Sequence, residues 1–382
     1  MRERLNSENS YNNREEGGSY PEDLLKEAGL SSLAEVGLQV RLRQIEDLCK
    51  IVENEKLDFL KRFKALWRLS LLMEQLRYTE KFLNVYEIKV DISRGKNEGE
   101  MGKYVFRIVE APPEREKRLK EEGKPFSERI KELSFLDLDN NFRLVVNQFP
   151  YVRGQLLLVL KNEKGVETNS LGGLEDEGII EKFLALIKDE GKNVLKNYVI
   201  GINSIGAGLS QPFFHAHLLP EKLFPLLYDY LDDKGEGKEE DKGIFKCEKY
   251  RLDNEEDVRR LKERINAIKS KRDEILKVSE KDKIEYNKKC IEKYKSASIP
   301  CYNAVVVPSK NVLLLFEREG GEKFGDKLKN ILGKNGIGFA ELLGTIVIPV
   351  SAPKSKKLDA EKIKEFINAV EEAQENFEKF FN

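Results

Sequence analysis

Apolar residues recur every three or four positions in the first part of the chain. Between Pro21 and about Val85 the opposite face is filled with Glu and Lys, and the apolar positions include Leu57, Leu60, Phe63, Leu66, Trp67 and Leu71. This pattern predicts amphipathic helices, and the aromatic residues Phe59, Phe63 and Trp67 are interpreted as core. Short strands are predicted at Tyr86–Ile92 and Tyr104–Val109, around the polar turn Gly95–Gly102.

Continuous apolar runs predict a sheet in the middle of the chain. Phe142–Val146 and Gly154–Leu160 are predicted strands, and the unbroken run of the second indicates burial on both faces. An amphipathic helix is predicted over Leu174–Asn193, and the chain returns as a strand over Tyr198–Ile202. The Gly-rich loop Asn203–Ser210 then leads into a strand that carries both histidines of the protein.

The carboxy-terminal part alternates charged helical patterns with strands. A charged helical segment is predicted from Asn254 to about Ser296, with a narrow apolar seam at Val258, Leu261, Ile265 and Ile268. We interpret this segment as a structural insertion or a dimer contact. Strands are predicted at Asn303–Val307 and Val312–Phe316, and a last amphipathic helix at Asp359–Phe381.

Strand pairs with intervening helices predict the α+β fold class, with helices covering one face of the sheet. We predict five segments along the chain. They are a flexible tail (1–20), an amino-terminal helical region with short strands (21–110), a catalytic domain (111–230), a charged loop and helical insertion (231–300) and a carboxy-terminal domain (301–382). Within the fourth segment, the low-complexity residues 231–247 are predicted to be a mobile loop.

Composition narrows the range of partners. The apolar share of 40% is typical of a folded soluble protein, and no apolar run reaches the length of about 20 residues that a membrane helix needs. The polar first twenty residues indicate no secretory signal, so we expect a cytoplasmic protein. Acidic and basic residues are interleaved, with a net charge of −1, so we expect a small ligand or a protein partner and no nucleic acid or membrane partner.

The cysteines do not form a recognisable site. They are scattered and include no C-x-x-C pair: Cys49, Cys247, Cys290 and Cys301. This spacing is typical of a reducing compartment and argues against a disulfide framework or a structural zinc.

The histidines, His215 and His217, are separated by one residue. In a strand, positions i and i+2 point to the same face, about 6.5 Å apart along the backbone. A neutral histidine can act as nucleophile, general acid–base or metal ligand, but a metal needs a third or fourth ligand that no nearby His or Cys supplies. From the spacing alone, a structural His pair and a functional one both remain open.

The loop before the histidines is suited to phosphate. Gly206 and Gly208 allow the backbone to adopt positive φ and to expose N–H groups, which bind phosphate oxygens well. Ser210 and Gln211 add side-chain donors next to the histidine strand.

The segment from Asn203 through Gly206-Ala-Gly-Leu-Ser-Gln-Pro-Phe-Phe-His-Ala-His-Leu-Leu-Pro220 resembles the active-site strand of the diadenosine tetraphosphate phosphorylases, or ATP adenylyltransferases. These enzymes belong to the histidine-triad-like superfamily, together with galactose-1-phosphate uridylyltransferase. Three further matches occur in the family's order, and the resemblance spans roughly residues 124–350 of this chain. They are Asn147-Gln-Phe-Pro150 with 154–159, then 302–307 with 312–318, and Asn335-Gly-Ile-Gly-Phe-Ala340.

Three residues depart from the family's pattern. Phe213 replaces the first histidine, His217 stands where the phosphorylases have Gln, and Gln155 stands where a histidine is common. The position of His217 is closer to the histidine-triad hydrolases. Phosphorolysis and hydrolysis therefore both remain open, as does the identity of the substrate.

The resemblance implies a histidine-triad-like antiparallel sheet and a nucleotidyltransferase that acts on a dinucleoside polyphosphate through a nucleotidyl-histidine at His215. It implies that Asn147 contacts the sugar and that Asn203 holds the phosphate or the loop. The expected donors for phosphate are His217, Ser210, Gln211 and the N–H groups of the Gly206 to Gly208 loop. Mg²⁺ is plausible as a companion of the nucleotide, and a homo-oligomer through the helical regions is allowed.

Two alternatives remain open. The same histidine strand also fits a nucleotide-sugar phosphorylase or a nucleotidyl hydrolase. A non-catalytic nucleotide-binding or scaffold protein is favoured to some extent by the lost first histidine, by the long amino-terminal helical region and by the insertion.

Overall fold

The computed structural model describes residues 33–77, 84–93, 101–111, 135–147, 155–162, 165–167, 170–176, 178–189, 195–209, 213–231, 243–278, 283–294, 297–334, 336–349 and 358–382. The contacts within the chain define two compact units, Met1–Asp47 and Leu48–Asn382. The described part of the first unit is helical and belongs to α1 (Leu33–Glu53). The predicted tail (1–20) and residues 232–242 of the predicted mobile loop lie outside the described residues.

The described helices and strands alternate along the larger unit. Its helices are α2 (Phe59–Arg77), α3 (Ile179–Lys188), α4 (Leu227–Leu231), α5 (Glu255–Leu276), α6 (Lys283–Lys293), α7 (Glu322–Leu332), α8 (Phe339–Leu342) and α9 (Ala360–Glu378). Its strands are β1 (Asn84–Ser93), β2 (Met101–Ala111), β3 (Phe135–Asp137), β4 (Phe142–Val146), β5 (Leu156–Asn162), β6 (Gly165–Val166), β7 (Tyr198–Asn203), β8 (His215–Pro220), β9 (Glu248–Arg251), β10 (Ile299–Val307), β11 (Val312–Gly320) and β12 (Thr345–Pro349).

A large antiparallel sheet forms the centre of this unit, in the order β3-β4-β5-β8-β7-β10-β11-β9, with β6 paired to β5. Strands from the predicted catalytic segment and from the predicted carboxy-terminal segment join this one sheet. A smaller sheet pairs β1 with β2 and, in parallel, β2 with β12. The α+β class with an antiparallel sheet is confirmed, whereas the five sequence segments stay a prediction.

The apolar patterns explain which faces are buried. Every residue of β4 and β10 is buried, as is expected of strands covered on both faces. A large core cluster joins one face of β10 and β11 to the smaller sheet and to α7 and α9. In α2, Phe63 is buried as predicted, but Phe59 and Trp67, also interpreted as core, are only partly buried. Leu60 is 45% exposed and takes no part in the core. No helix among the described residues is both long and apolar enough to cross a membrane.

Two predicted helices differ in length from the observed ones. The helix predicted to begin at Leu174 begins at Ile179, because the backbone N–H of Leu174 donates to the Tyr302 hydroxyl (2.7 Å) and Gly178 adopts a left-handed φ of 72°. The charged helical segment predicted from Asn254 to about Ser296 consists of two helices, α5 and α6. Lys277 ends α5 with a left-handed φ of 50°, and its N–H bonds the carbonyls of Asp273 and Glu274.

Candidate active site

The histidine strand lies in the middle of the large sheet. In β8, His215 is paired with Val159 of β5, and His217 is paired with Leu157 of β5 and with Gly201 of β7. The ring centroids of the histidines are 5.6 Å apart, with planes at 74°. His215 is 5% exposed and His217 is partly exposed. Both imidazoles therefore share one face of the sheet, as the i, i+2 spacing predicts.

A backbone carbonyl determines which nitrogen of His215 carries the proton. Nδ1 lies 3.1 Å from the carbonyl oxygen of Phe213, and a carbonyl can only accept, so Nδ1–H is the donor. In the neutral ring, Nε2 then carries the lone pair. Burial lowers the pKa of His215, although the bond to the Phe213 carbonyl acts in the opposite direction. The neutral, nucleophilic form is therefore favoured near pH 7.

His217 has the complementary arrangement. The Nε2 amide group of Gln155 lies 2.6 Å from Nδ1 of His217, and because an amide NH₂ donates, Nδ1 accepts. In the neutral ring the proton then lies on Nε2. Gln155 is fully buried, and its backbone carbonyl accepts a hydrogen bond from the Ser70 hydroxyl of α2 (3.2 Å). This bond fixes the backbone of Gln155.

The two histidines together offer a nucleophile beside a donor. The lone pair on Nε2 of His215 can attack an electrophilic phosphorus, and the N–H on Nε2 of His217 can donate to a phosphoryl oxygen. A neutral His215 with a fixed tautomer needs no rearrangement of its own protons before such a step. The pair can therefore serve group transfer at a phosphate.

A phenylalanine from the carboxy-terminal region supports His217 from the side. Gly201 lies opposite His217, and the ring of Phe339 occupies the space where a Cβ of Gly201 would stand. The rings of Phe339 and His217 are 5.8 Å apart between centroids and tilted by 33°. Since Phe339 is fully buried, it restricts the position of the His217 ring.

The Gly-rich loop has the backbone conformation that the sequence predicts. Gly206 and Gly208 adopt φ angles of 83° and 94°, in the left-handed region that favours glycine. A Cβ on Gly208 would lie 2.9 Å from the carbonyl oxygen of Ile337, so a side chain is excluded on steric grounds too. Gly208 is exposed, and the binding of phosphate by this loop stays a prediction.

Asn203 connects the loop to the carboxy-terminal region. Its Oδ1 accepts from Nδ2 of Asn303 (2.8 Å) and from the backbone N–H of Phe339 (3.0 Å). Nδ2 of Asn303 also donates to the Ala207 carbonyl (2.7 Å), and the buried guanidinium of Arg318 donates to Oδ1 of Asn303 (3.3 Å). These contacts give Asn203 the loop-holding geometry of its two expected roles, and a contact with phosphate stays a prediction.

The other predicted site residues have different positions. Asn147 follows β4 immediately after the Val146–Leu156 pair, so strand alternation places it on the same face as Gln155, and it is 7% exposed. Its contact with a sugar stays a prediction. Ser210 and Gln211 lie outside the described residues.

The phenylalanines before His215 are both fully buried. The ring centroids of Phe213 and His215 are 5.9 Å apart, so Phe213 lies directly beside His215. Phe214 packs on the other side, against Phe142 and Phe183 at 6.4 Å and 5.8 Å. Phe214 thus belongs to the core between the sheet and α3.

Several contributors to the site are not predicted as site residues from the sequence. Gln155 is noted only as a departure from the family, and Asn303 and Arg318 only as parts of matching segments. The available signal is a polar residue in an otherwise apolar strand, because a buried polar side chain must find a partner. Gly201 has a similar signal, since a glycine inside a strand indicates a close approach of another group.

Metal ligands are not clustered in the described part of the chain. There, no group of three or more His, Cys, Asp or Glu side chains is arranged to hold a metal ion. Mg²⁺ carried by a nucleotide stays an expectation from the chemistry of polyphosphates.

Comparison with known proteins gives similarity at the level of structure. No protein-family model and no curated protein matches the chain. The fold is similar to crystal structures of the yeast Ap4A phosphorylase Apa2. The complex with AMP has a TM-score of 0.44 and 16% identity and covers 81% of this chain and 95% of Apa2. The complex with Ap4A has a TM-score of 0.41 and 14% identity and covers 82% of this chain and 95% of Apa2. A further Apa2 structure has a TM-score of 0.41 and 13% identity and covers 82% of this chain and 92% of Apa2.

Proposed function

We propose that this protein is a nucleotidyltransferase that cleaves a dinucleoside polyphosphate through a nucleotidyl-histidine intermediate on His215. The hydrogen bonds of the two histidines are the observation that carries the proposal. They leave the lone pair on Nε2 of His215 and the proton on Nε2 of His217. The substrate class comes from the sequence resemblance to the ATP adenylyltransferases.

The first step transfers the nucleotidyl group to the protein. Nε2 of His215 attacks the α-phosphorus, and an N–P bond forms while the P–O bond to the remaining polyphosphate breaks. The bonding electrons leave with the oxygen of the departing nucleotide. His217 donates to a phosphoryl oxygen, where negative charge accumulates in the transition state.

The second step releases the nucleotidyl group to an acceptor. An oxygen of orthophosphate attacks the same phosphorus, the N–P bond breaks, and its electron pair returns to Nε2 of His215. The products are then a nucleoside diphosphate and the departing nucleotide of the first step. Splitting the displacement into two steps replaces one high barrier by two lower ones.

The environment of His215 keeps the ring in the neutral form that a nucleophile requires. The pKa of His215 is lowered by burial, so the ring is neutral at physiological pH without a neighbouring base to deprotonate it. The loop that starts at Asn203 begins opposite His215, because Ile202 pairs with Ala216 one position earlier in the ladder. The Ala207 N–H donates to the Ser204 carbonyl (2.9 Å), so the N–H of the exposed Gly208 is the donor of this loop that would bind the phosphate beside the nucleophile.

The test is an incubation with diadenosine tetraphosphate labelled on the α-phosphate, with and without orthophosphate and Mg²⁺. We expect an acid-labile adduct on the peptide that contains His215 and release of a nucleoside diphosphate only with orthophosphate. The variant His215→Ala should remain folded, form no adduct and lose turnover. Unchanged turnover in that variant would exclude His215 as the nucleophile.

The same assay separates the alternatives. Release of a nucleoside monophosphate without orthophosphate would indicate a nucleotidyl hydrolase, and turnover of a nucleotide sugar alone would indicate a nucleotide-sugar phosphorylase. Tight binding without an adduct would favour a non-catalytic nucleotide-binding protein. The variant His217→Gln is expected to retain part of the activity, since Gln can still donate a hydrogen bond; complete loss would mean that His217 must transfer a proton.

A further inference from the structure

The helical insertion lies against the loops of the candidate active site. A second core cluster joins residues of α5 and α6 to the Gly-rich loop, to the segment before α3 and to the start of β10. Its buried members are Leu171, Ile205, Leu209, Leu276, Tyr286, Cys290 and Ile299. The insertion is therefore packed directly on the elements that hold the histidine strand.

A buried asparagine of α6 links the insertion to the segment 170–176. Asn287 is fully buried, its Nδ2 donates to the Ser170 carbonyl (2.8 Å), and its Oδ1 accepts from the Gly172 N–H (3.2 Å). The side-chain amide of Asn287 thus donates to one residue of this short segment and accepts from another. Such a pair fixes the segment in position as well as in orientation.

The same segment holds the entry to the histidine strand. The Ser170 hydroxyl accepts from the backbone N–H of Phe214 (2.9 Å), the residue immediately before His215. The residue before that, Phe213, supplies the carbonyl that accepts from Nδ1 of His215. A displacement of Ser170 would therefore change the geometry of the bond that fixes the tautomer of His215.

We infer that Asn287 is a positioning residue for His215, which it aligns through Ser170 and the backbone of Phe214. The inference rests on the proposed function, in which Nε2 of His215 is the nucleophile. It assigns a role in catalysis to the helical insertion, which from the sequence alone is interpreted as a structural insertion or a dimer contact. An acceptor of the right orientation at Phe213 keeps the lone pair of His215 directed at the substrate.

The test uses Asn287→Asp, with Lys288→Ala as a matched control on an exposed position of the same helix. The aspartate can still accept from the Gly172 N–H but cannot donate to the Ser170 carbonyl. Its second oxygen then faces the carbonyl oxygen, so this contact becomes repulsive with little change in side-chain size. We expect kcat to fall at least about tenfold while KM stays within about twofold, because the substrate-binding groups are retained. Lys288→Ala should behave as the wild type.

A second readout does not depend on turnover. The imidazole ¹⁵N spectrum contains signals of only two histidines, so each tautomer can be followed separately. In Asn287→Asp, the His215 signals should shift toward a mixture of tautomers, whereas those of His217, fixed by Gln155, should stay unchanged. If Asn287→Asp does not fold, Ser170→Ala removes the acceptor for the Phe214 N–H and is expected to give the same two changes.

The outcomes separate this inference from the proposed function. A fall in kcat together with a changed His215 tautomer supports it. A folded Asn287→Asp protein with reduced stability but unchanged kcat and unchanged His215 signals overturns it. If the wild type shows neither turnover nor adduct, the proposed function fails, and the His215 spectrum alone then decides whether Asn287 positions the ring.

Discussion

The contact between Gly201 and Phe339 gives a sharp prediction for the substitution Gly201→Ala. A Cβ at this position would lie closer than 3.0 Å to three ring atoms of Phe339, a separation that real Cβ atoms essentially never show. Phe339 is fully buried and its backbone N–H is bonded to Asn203, so the ring cannot move away at low cost. The added methyl group must displace the ring toward its neighbours, among them His217.

The expected cost follows from the size of the overlap. Insertion of a methyl-sized group into a well-packed core typically destabilises by about 1–3 kcal/mol. We expect Gly201→Ala to lower the free energy of unfolding by that amount. Replacing the ring by the smaller side chain of Leu in Phe339→Leu should relieve the clash. The double variant should therefore be more stable than the sum of the two single changes in unfolding free energy predicts, with a coupling free energy of at least about 0.5 kcal/mol.

Urea unfolding of the wild type, both single variants and the double variant measures this coupling. Gly336→Ala is the matched control, because nothing lies within 4 Å of a Cβ there, and its effect should stay within about 0.5 kcal/mol. Additive single effects, or a Gly201→Ala variant as stable as the control, would refute the packing argument. A fall in kcat for Gly201→Ala, partly restored in the double variant, is expected from the contact with His217.

Two further predictions concern buried ionisable groups. Because burial lowers the pKa of His215 in the folded state, the unfolded chain binds more protons between that pKa and about 6.5, so the free energy of unfolding falls as pH decreases through this range. Urea unfolding at several pH values should show a smaller fall for His215→Asn than for the wild type. Equal pH dependence of the two proteins would contradict this prediction. Arg272 pairs with Glu175 (2.8 Å) at exposures of 0% and 1%, so Arg272→Met should cost about 3–5 kcal/mol in thermal or urea unfolding. Adding Glu175→Gln should recover most of this loss; no recovery would mean that packing, and not the unpaired carboxylate, determines the cost.

The local patterns predict the positions of the strands, although β10 begins at Ile299 instead of Asn303 and β11 ends at Gly320 instead of Phe316. The strand Phe142–Val146 is observed with the predicted bounds, because an apolar run in a buried strand leaves few alternatives. The start of α3 and the break between α5 and α6 are not predictable in the same way. They depend on the Tyr302 hydroxyl, 128 residues from Leu174 in sequence, and on a left-handed Lys277 that no local propensity favours.

In the candidate site, too, some features follow from the sequence and others follow only from the tertiary structure. The sequence alone determines that His215 and His217 share one face and that Gly206 and Gly208 adopt positive φ, since strand periodicity and glycine conformation are local properties. The tautomer of His217 depends on Gln155, 62 residues away in sequence.

Only the tertiary structure brings together the supports of the two histidines. Phe339 reaches Gly201 and His217 from the carboxy-terminal region, and Asn287 reaches the entry to the histidine strand from an insertion with no motif of its own. Such contacts depend on strand register and on packing between distant segments, and they leave no periodic signal in the sequence. The residue types thus determine the available chemistry. A local carbonyl, that of Phe213, determines the tautomer of His215, whereas a contact from a distant segment determines that of His217.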